Sequence, residues 1–188
     1  QLNDKPIIAI LPGSRKQEIT KMLSVMLSVV HDFPDYQFVI AGAPSQDFSF
    51  YKDFITQDNI KFISNKTYDL LSNATAALVT SGTATLETAL FKVPEVVCYK
   101  GSWASYQIAK RIITLKYISL VNLIMDEEVV TELIQEDCNE KKIKEELLKI
   151  LNPIHRNTLL EKYALLEQQL GGIGASAKTA ELIVNDLK

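Results

Sequence analysis

The chain has 188 residues, enough for one well-buried core and, on ordinary domain size, one domain. Its 47% hydrophobic and 23% charged residues are those of an ordinary soluble globular protein, and a net charge of −3 leaves no basic footprint for nucleic acid. Cys98 and Cys138 lie far apart in sequence without CxxC spacing, which excludes a disulfide framework and fits a reducing, cytoplasmic setting.

The amino-terminal residues Gln1-Leu2-Asn3-Asp4-Lys5 lack the apolar core of a signal peptide. No apolar stretch is long enough to span a bilayer. The sequence has no initiator Met and enters its first strand almost at once, so it reads as an excised domain or a processed product.

In chain order, strands and helices alternate. Pro6–Leu11 is a continuous apolar run, as expected of a parallel strand covered on both faces. Ser14 offers an N-cap with Gln17 at the capping-box position. Ile19, Met22, Leu23, Met26, Leu27 and Val30 then recur at helical spacing to about Asp32. Tyr36–Ala41 is a second strand, Asp47–Thr56 a weaker helix, and Ile60–Ile63 a short third strand. A short helix with Tyr68, Leu70 and Leu71 ends near Asn73.

Ala76–Thr80 is the fourth strand, Thr83–Phe91 a helix with Thr83 as N-cap, and Glu95–Tyr99 the fifth strand. Trp103–Thr114 reads as an amphipathic helix and Tyr117–Leu120 as a sixth strand. From about residue 126 the chain becomes helical: Asp126 caps Glu127–Ile134, Asn139 caps Glu140–Leu151, and Asn152-Pro153 opens Ile154–Leu170. Gly171-Gly172-Ile173-Gly174 precedes a last helix, Ser176–Leu187. Its stripe of Ala180, Ile183, Val184 and Leu187 suits a partner domain, in the same chain or another.

This alternation predicts an α/β fold, a doubly wound, mostly parallel sheet with a helical carboxyl-terminal extension. Ligands of such sheets bind beyond the carboxyl ends of strands, near the switch in strand order. Two turns there are built for anions: Leu11-Pro12-Gly13-Ser14-Arg15 and Thr80-Ser81-Gly82-Thr83. Each leads into a helix, whose first N–H groups are unpaired and carry partial positive charge. Neither turn matches GxGxxG or the P-loop, which disfavours nicotinamide dinucleotides and ATP hydrolysis.

Gly13 and Ser14 can approach a phosphate closely, and Arg15 can place a permanently charged fork on it. Ser81, Gly82 and Thr83 add hydroxyls and N–H donors. Glu87, one helical turn on, suits ribose hydroxyls, and its bland alternative is a favourable charge at a helix start. Lys100 follows the fifth strand at the same end of the sheet. No His, Cys or carboxylate cluster has metal-ligand spacing, His31 and His155 stand isolated, and no cofactor is called for.

Four spaced motifs carry a resemblance: Ile10-Leu11-Pro12-Gly13-Ser14-Arg15 with Glu18, Ser81-Gly82-Thr83-Ala84-Thr85-Leu86-Glu87, Pro94-Glu95-Val96-Val97-Cys98-Tyr99-Lys100, and Ser119-Leu120-Val121-Asn122-Leu123. In order and over nearly the whole chain, they resemble the carboxyl-terminal, UDP-sugar-binding half of lipid-A-disaccharide synthase. The resemblance implies a Rossmann-like half of a GT-B glycosyltransferase spanning residues 1–188, the amino-terminal acceptor domain being absent. It implies transfer of 2,3-diacylglucosamine from UDP to 2,3-diacylglucosamine 1-phosphate, giving a β-1,6-linked disaccharide and UDP.

It further implies Arg15 and Asn122 as catalytic residues, with Asn122 otherwise a turn residue bonding its own backbone. Gly13, Ser14, Ser81, Gly82, Thr83, Glu87 and Lys100 are implied to bind substrate, and backbone near Phe62–Asn65 to meet uracil by GT-B analogy. The general base is expected in the amino-terminal half. The isolated half is therefore expected to be inactive alone. Partners implied are the two lipid substrates and the missing domain; the chain's own surfaces add the expectation of a homodimer mate, from the stripe of the last helix, and of the inner-membrane surface of a Gram-negative bacterium.

That last contact is drawn from Lys100, Lys110, Arg111 and Lys116 around Trp103, Tyr106, Ile108 and Ile112, whose basic side suits anionic lipid headgroups or the acceptor phosphate and whose favoured, bland reading is an amphipathic helix packed on the sheet. Alternatives are another GT-B UDP-GlcNAc enzyme, an epimerase or a lipid II-forming transferase, and a non-catalytic nucleotide-binding module.

Overall fold

The computed structural model describes residues 4–101, 116–171 and 174–186. Six strands form one sheet in the order β3-β2-β1-β4-β5-β6, with every neighbouring pair parallel. They are β1 (Ile7–Leu11), β2 (Gln37–Gly42), β3 (Ile60–Ser64), β4 (Ala74–Thr80), β5 (Glu95–Tyr99) and β6 (Glu132–Ile134). The helices are α1 (Lys16–Leu27), α2 (Phe48–Tyr51), α3 (Thr67–Asn73), α4 (Thr83–Leu90), α5 (Leu120–Met125), α6 (Glu140–Leu151), α7 (Pro153–Gln169) and α8 (Ala175–Asp186).

The apolar runs are central because both faces of the sheet are covered. All of β1 and β2 are buried. Successive residues of β1 point to opposite layers: Ile8 and Ile10 join the layer with Met22, Leu23 and Met26, while Ile7, Ala9 and Leu11 join the layer with Leu70 and Leu71. Each fully buried Ile or Leu contributes about 1.5–3 kcal/mol of transfer free energy, which holds the strand order rigidly. The order reverses between β1 and β4, where Leu11 sits beside Val79. The turns that leave these strands are therefore neighbours.

The carboxyl-terminal part departs from the sequence reading. Tyr117–Leu120 is not a strand: Ser119 caps α5, its hydroxyl accepting the Asn122 N–H at 3.3 Å. Asp126 does not start a helix but ends α5 in the left-handed conformation, with φ 50°. The expected helix Glu127–Ile134 is instead a turn followed by β6, which pairs Glu132–Ile134 with Val97–Tyr99. The caps of α6 and α7 are as expected. Asn139 accepts from Lys142 N–H and Asn152 from Ile154 N–H, with Pro153 in the first turn.

The expected helix Trp103–Thr114, with Lys110 and Arg111, lies outside the described residues. Among the described residues, no helix is long and apolar enough to cross a membrane. Leu182, Ile183 and Val184 of α8 are exposed. Cys98 and Cys138 are both buried, and the fold brings these distant thiols together. A hydrogen bond with Cys138 and burial push the Cys98 thiol well up. Cys138 is lowered, first by its bond with Cys98 and then, against the effect of burial, by the charge of Lys100.

Candidate functional site

Both strand-end turns open onto one cavity of about 380 Å³, beyond the carboxyl ends of β1, β2 and β4. Gly13, Ser14, Arg15, Ser81, Gly82, Thr83 and Glu87 all line it. The first turn owes its shape to Gly13, whose φ of 101° disfavours any side chain. A Cβ there would also lie 2.2 Å from the Glu18 carboxylate. That carboxylate accepts the Ser14 N–H at 3.2 Å.

The capping box of Ser14 and Gln17 is thus replaced. Arg15 is the N-cap residue of α1, without a side-chain cap, and Glu18 reaches back to the turn. Arg15 is exposed and forms no ion pair among the described residues. Gly13→Ala should destabilise the fold by about 1–3 kcal/mol through backbone strain and drive Glu18 off Ser14. Urea denaturation, followed beside a nucleotide titration, checks both losses.

The second turn is held from behind. The Ser81 hydroxyl donates to the Ile118 carbonyl at 2.8 Å. Gly82, not Thr83, is the N-cap residue of α4, and the Thr85 hydroxyl donates to the Gly82 carbonyl. Thr80 also lines the cavity, and its hydroxyl is buried with no hydrogen-bond partner among the described residues. Such a group in a cavity wall is satisfied by a ligand or water.

A second cavity of about 420 Å³ is lined by Asn65, Lys66, Thr67, Tyr68, Asp69 and Glu87. Thr67 and Glu87 border both cavities, which are therefore neighbours. Asn65 has φ 56° and carries the chain from β3 into this wall. Tyr68 is exposed, with Phe91 stacked on its ring at 5.4 Å.

Two expected site residues stand elsewhere. Lys100 is half-buried beside Cys138 and lines neither cavity. Asn122 is fully buried and its amide is saturated: it donates to the Val130 carbonyl at 2.8 Å and to Glu132 at 2.9 Å, and accepts Val129 and Val130 N–H. The hydrogen-bonding positions of the Asn122 amide are thus used within the fold, and Asn122 lines neither cavity. Sequence reasoning placed Thr80 in the second turn without a role for its hydroxyl, and it missed Thr67, a hydroxyl residue at a helix start with no pattern of its own. It also missed the grouping of His31 with Asp32 and Glu140, which α6 brings within 4.8 Å while Lys144 also pairs with Asp32.

The family model for lipid-A-disaccharide synthetase matches residues 1–182. The chain is 38% identical to the lipid-A-disaccharide synthase of Syntrophus aciditrophicus over 193 residues, covering 98% of this chain and 50% of that protein. It is 36% identical to the enzyme of Coxiella burnetii over 187 residues, covering 97% of this chain and 50% of that protein. The chain spans about half the length of the curated relatives it matches.

Among solved structures, the glycosyltransferase SnogD from Streptomyces nogalater is similar with TM-score 0.59 and 19% identity, over 98% of this chain and 45% of that one. That likeness supports the fold, an α/β sheet shared with GT-B glycosyltransferases. Two of the four motifs that suggested a family from sequence are the turns that meet in one cavity, and the family match runs through all four: this chain belongs to the lipid-A-disaccharide synthetase family.

Proposed function

We propose that the chain is the donor-binding half of a glycosyltransferase that moves 2,3-diacylglucosamine from UDP to 2,3-diacylglucosamine 1-phosphate. The observation that carries this reading is the meeting of two helix amino ends at one cavity, with a second cavity beside it that shares Glu87. Backbone N–H groups of the two turns grip the diphosphate. Glu87 accepts hydrogen bonds from ribose, and the second cavity, walled by Asn65 and Tyr68, takes uracil. Arg15 meets the negative charge that grows on departing UDP.

In the reaction, the bond from the anomeric carbon to the β-phosphate oxygen breaks and the acceptor hydroxyl oxygen takes its place. The hydroxyl proton leaves to a base supplied by an amino-terminal half, the part of the relatives this chain does not span. That half also covers the acceptor and, with the exposed apolar residues of α8, sets the association of the two. Work at a membrane surface and as a homodimer belongs to the same reading.

Isothermal titration of the 188-residue chain with UDP, UMP and uridine tests it. UDP should bind at least tenfold more tightly than UMP, because the second phosphate engages the second helix end. Glu87→Ala should weaken uridine-containing ligands but leave the preference for the diphosphate. Equal affinity for UDP and UMP would remove the paired-turn reading.

A further inference from the structure

Glu132, the first residue of β6, borders neither cavity, yet its carboxylate gathers three donors. Oε2 accepts the Ile118 N–H at 2.9 Å, and Oε1 accepts the Ser119 N–H at 2.8 Å and the Asn122 side-chain amide at 2.9 Å. Asn122 is itself pinned by Val129 and Val130, so Glu132 has a fixed support on that side. On the other side, the Ile118 carbonyl accepts the Ser81 hydroxyl at 2.8 Å.

These contacts share one rigid unit. The Ile118 carbonyl and the Ser119 N–H belong to a single peptide plane and point in opposite directions across it. Glu132 holds the N–H edge of that plane and Ser81 is tied to its carbonyl edge. Rotation of the plane would break both bonds together. We infer that Glu132 is a positioning residue that aims the Ser81 turn at the diphosphate through the Ile118–Ser119 peptide, with Asn122 as its support.

The inference rests on the nucleotide reading of the cavity. It also alters the part played by Ser81. Its hydroxyl proton is spent on Ile118, so the turn reaches a phosphate through backbone N–H groups rather than through that hydroxyl.

The test is a double-mutant cycle on UDP binding, using wild type, Glu132→Gln, Ser81→Ala and the double variant of this chain. The glutamine offers one acceptor oxygen where the carboxylate had two, so its NH2 faces one of the two backbone N–H donors and the grip on the Ile118–Ser119 peptide is broken. UDP should bind Glu132→Gln about tenfold more weakly, the size of one lost hydrogen bond to a charged group. Adding Ser81→Ala should then cost little more, because the link is already broken. In nitrogen–proton spectra without ligand, the Gly82 and Thr83 amides should shift while those of β1 and β2 stay.

Additive losses, unchanged UDP affinity, or shifts spread through β1 and β2 would overturn the inference. Should Glu132→Gln fail to fold, Glu132→Asp replaces it, and failure of both variants to fold overturns a positioning role in favour of a structural one. Wild-type chain that does not bind UDP overturns the nucleotide reading itself and this inference with it. Wild-type binding with no coupling overturns the inference alone.

Discussion

Arg15→Ala, in this chain joined to the amino-terminal half of a lipid-A-disaccharide synthase relative, should lower kcat for disaccharide formation by about 10²–10³-fold. That is the loss found when one charge-stabilising donor is taken from a preorganised site. Arg15 is exposed, at the start of α1, and lines the cavity between the two turns. Under the proposed function its charge acts most when the bond to UDP is breaking and negative charge grows there, so kcat should fall by more than KM rises. Arg15→Lys should fall between, since an ammonium keeps the charge but not the planar fork. Steady-state assays of disaccharide formation separate these parameters, and undiminished turnover by Arg15→Ala would leave the cavity as a binding module only.

How much of this was legible in sequence depends on how locally each feature is determined. The runs Ile7–Leu11 and Ala76–Thr80 announce themselves, because a strand buried on both faces needs uninterrupted apolar residues. The two turns follow from the same logic, and their meeting follows from the strand order that places β1 beside β4. The end of the first turn was less readable. Ser14 with Gln17 has the pattern of a capping box, but Gly13 turns the chain so that Glu18 folds back instead.

The region after β5 misleads for a different reason. Asp126 followed by acidic residues reads as a helix start, and Tyr117–Leu120 has the composition of a strand. The observed arrangement is decided by contacts remote in sequence. Asn122 ties Val129 and Val130 back over α5, and Glu132 ties down Ile118 and Ser119. These bonds leave Glu132–Ile134 free to extend the sheet beside β5. An amide within an apolar run reads as a reacting group or as a knot in the backbone, and the contacts that make Asn122 such a knot are tertiary.

Glu95→Gln should raise the melting midpoint at pH 8 by about 5 °C or more while changing it little at pH 5. Glu95 is fully buried at the amino end of β5, and neither carboxylate oxygen has a hydrogen-bond partner among the described residues. Tyr163 of α7 lies against it, and burial pushes the Tyr163 hydroxyl well up as well. Burial alone pushes the Glu95 carboxyl well above the usual carboxylate range, because the charged form has lost its water.

The native state therefore keeps a proton that the unfolded chain gives up. The stabilisation from protonated Glu95 is complete below the ordinary carboxylate range and is lost as pH rises toward the raised native value. A glutamine carries no proton to lose, so its midpoint should stay level over that interval. At pH 8 Glu95 must take up a proton or bear an unhydrated charge, a cost of at least about 1–3 kcal/mol that the glutamine escapes, and a domain of this size gains roughly 2–4 °C per kcal/mol. Scanning calorimetry of both proteins from pH 5 to pH 8 reads the difference. Glu95 stands at the opposite end of the sheet from the paired turns, so UDP affinity should be the same in both. Parallel pH profiles for the two proteins would mean that Glu95 finds a partner for its charge in the native state.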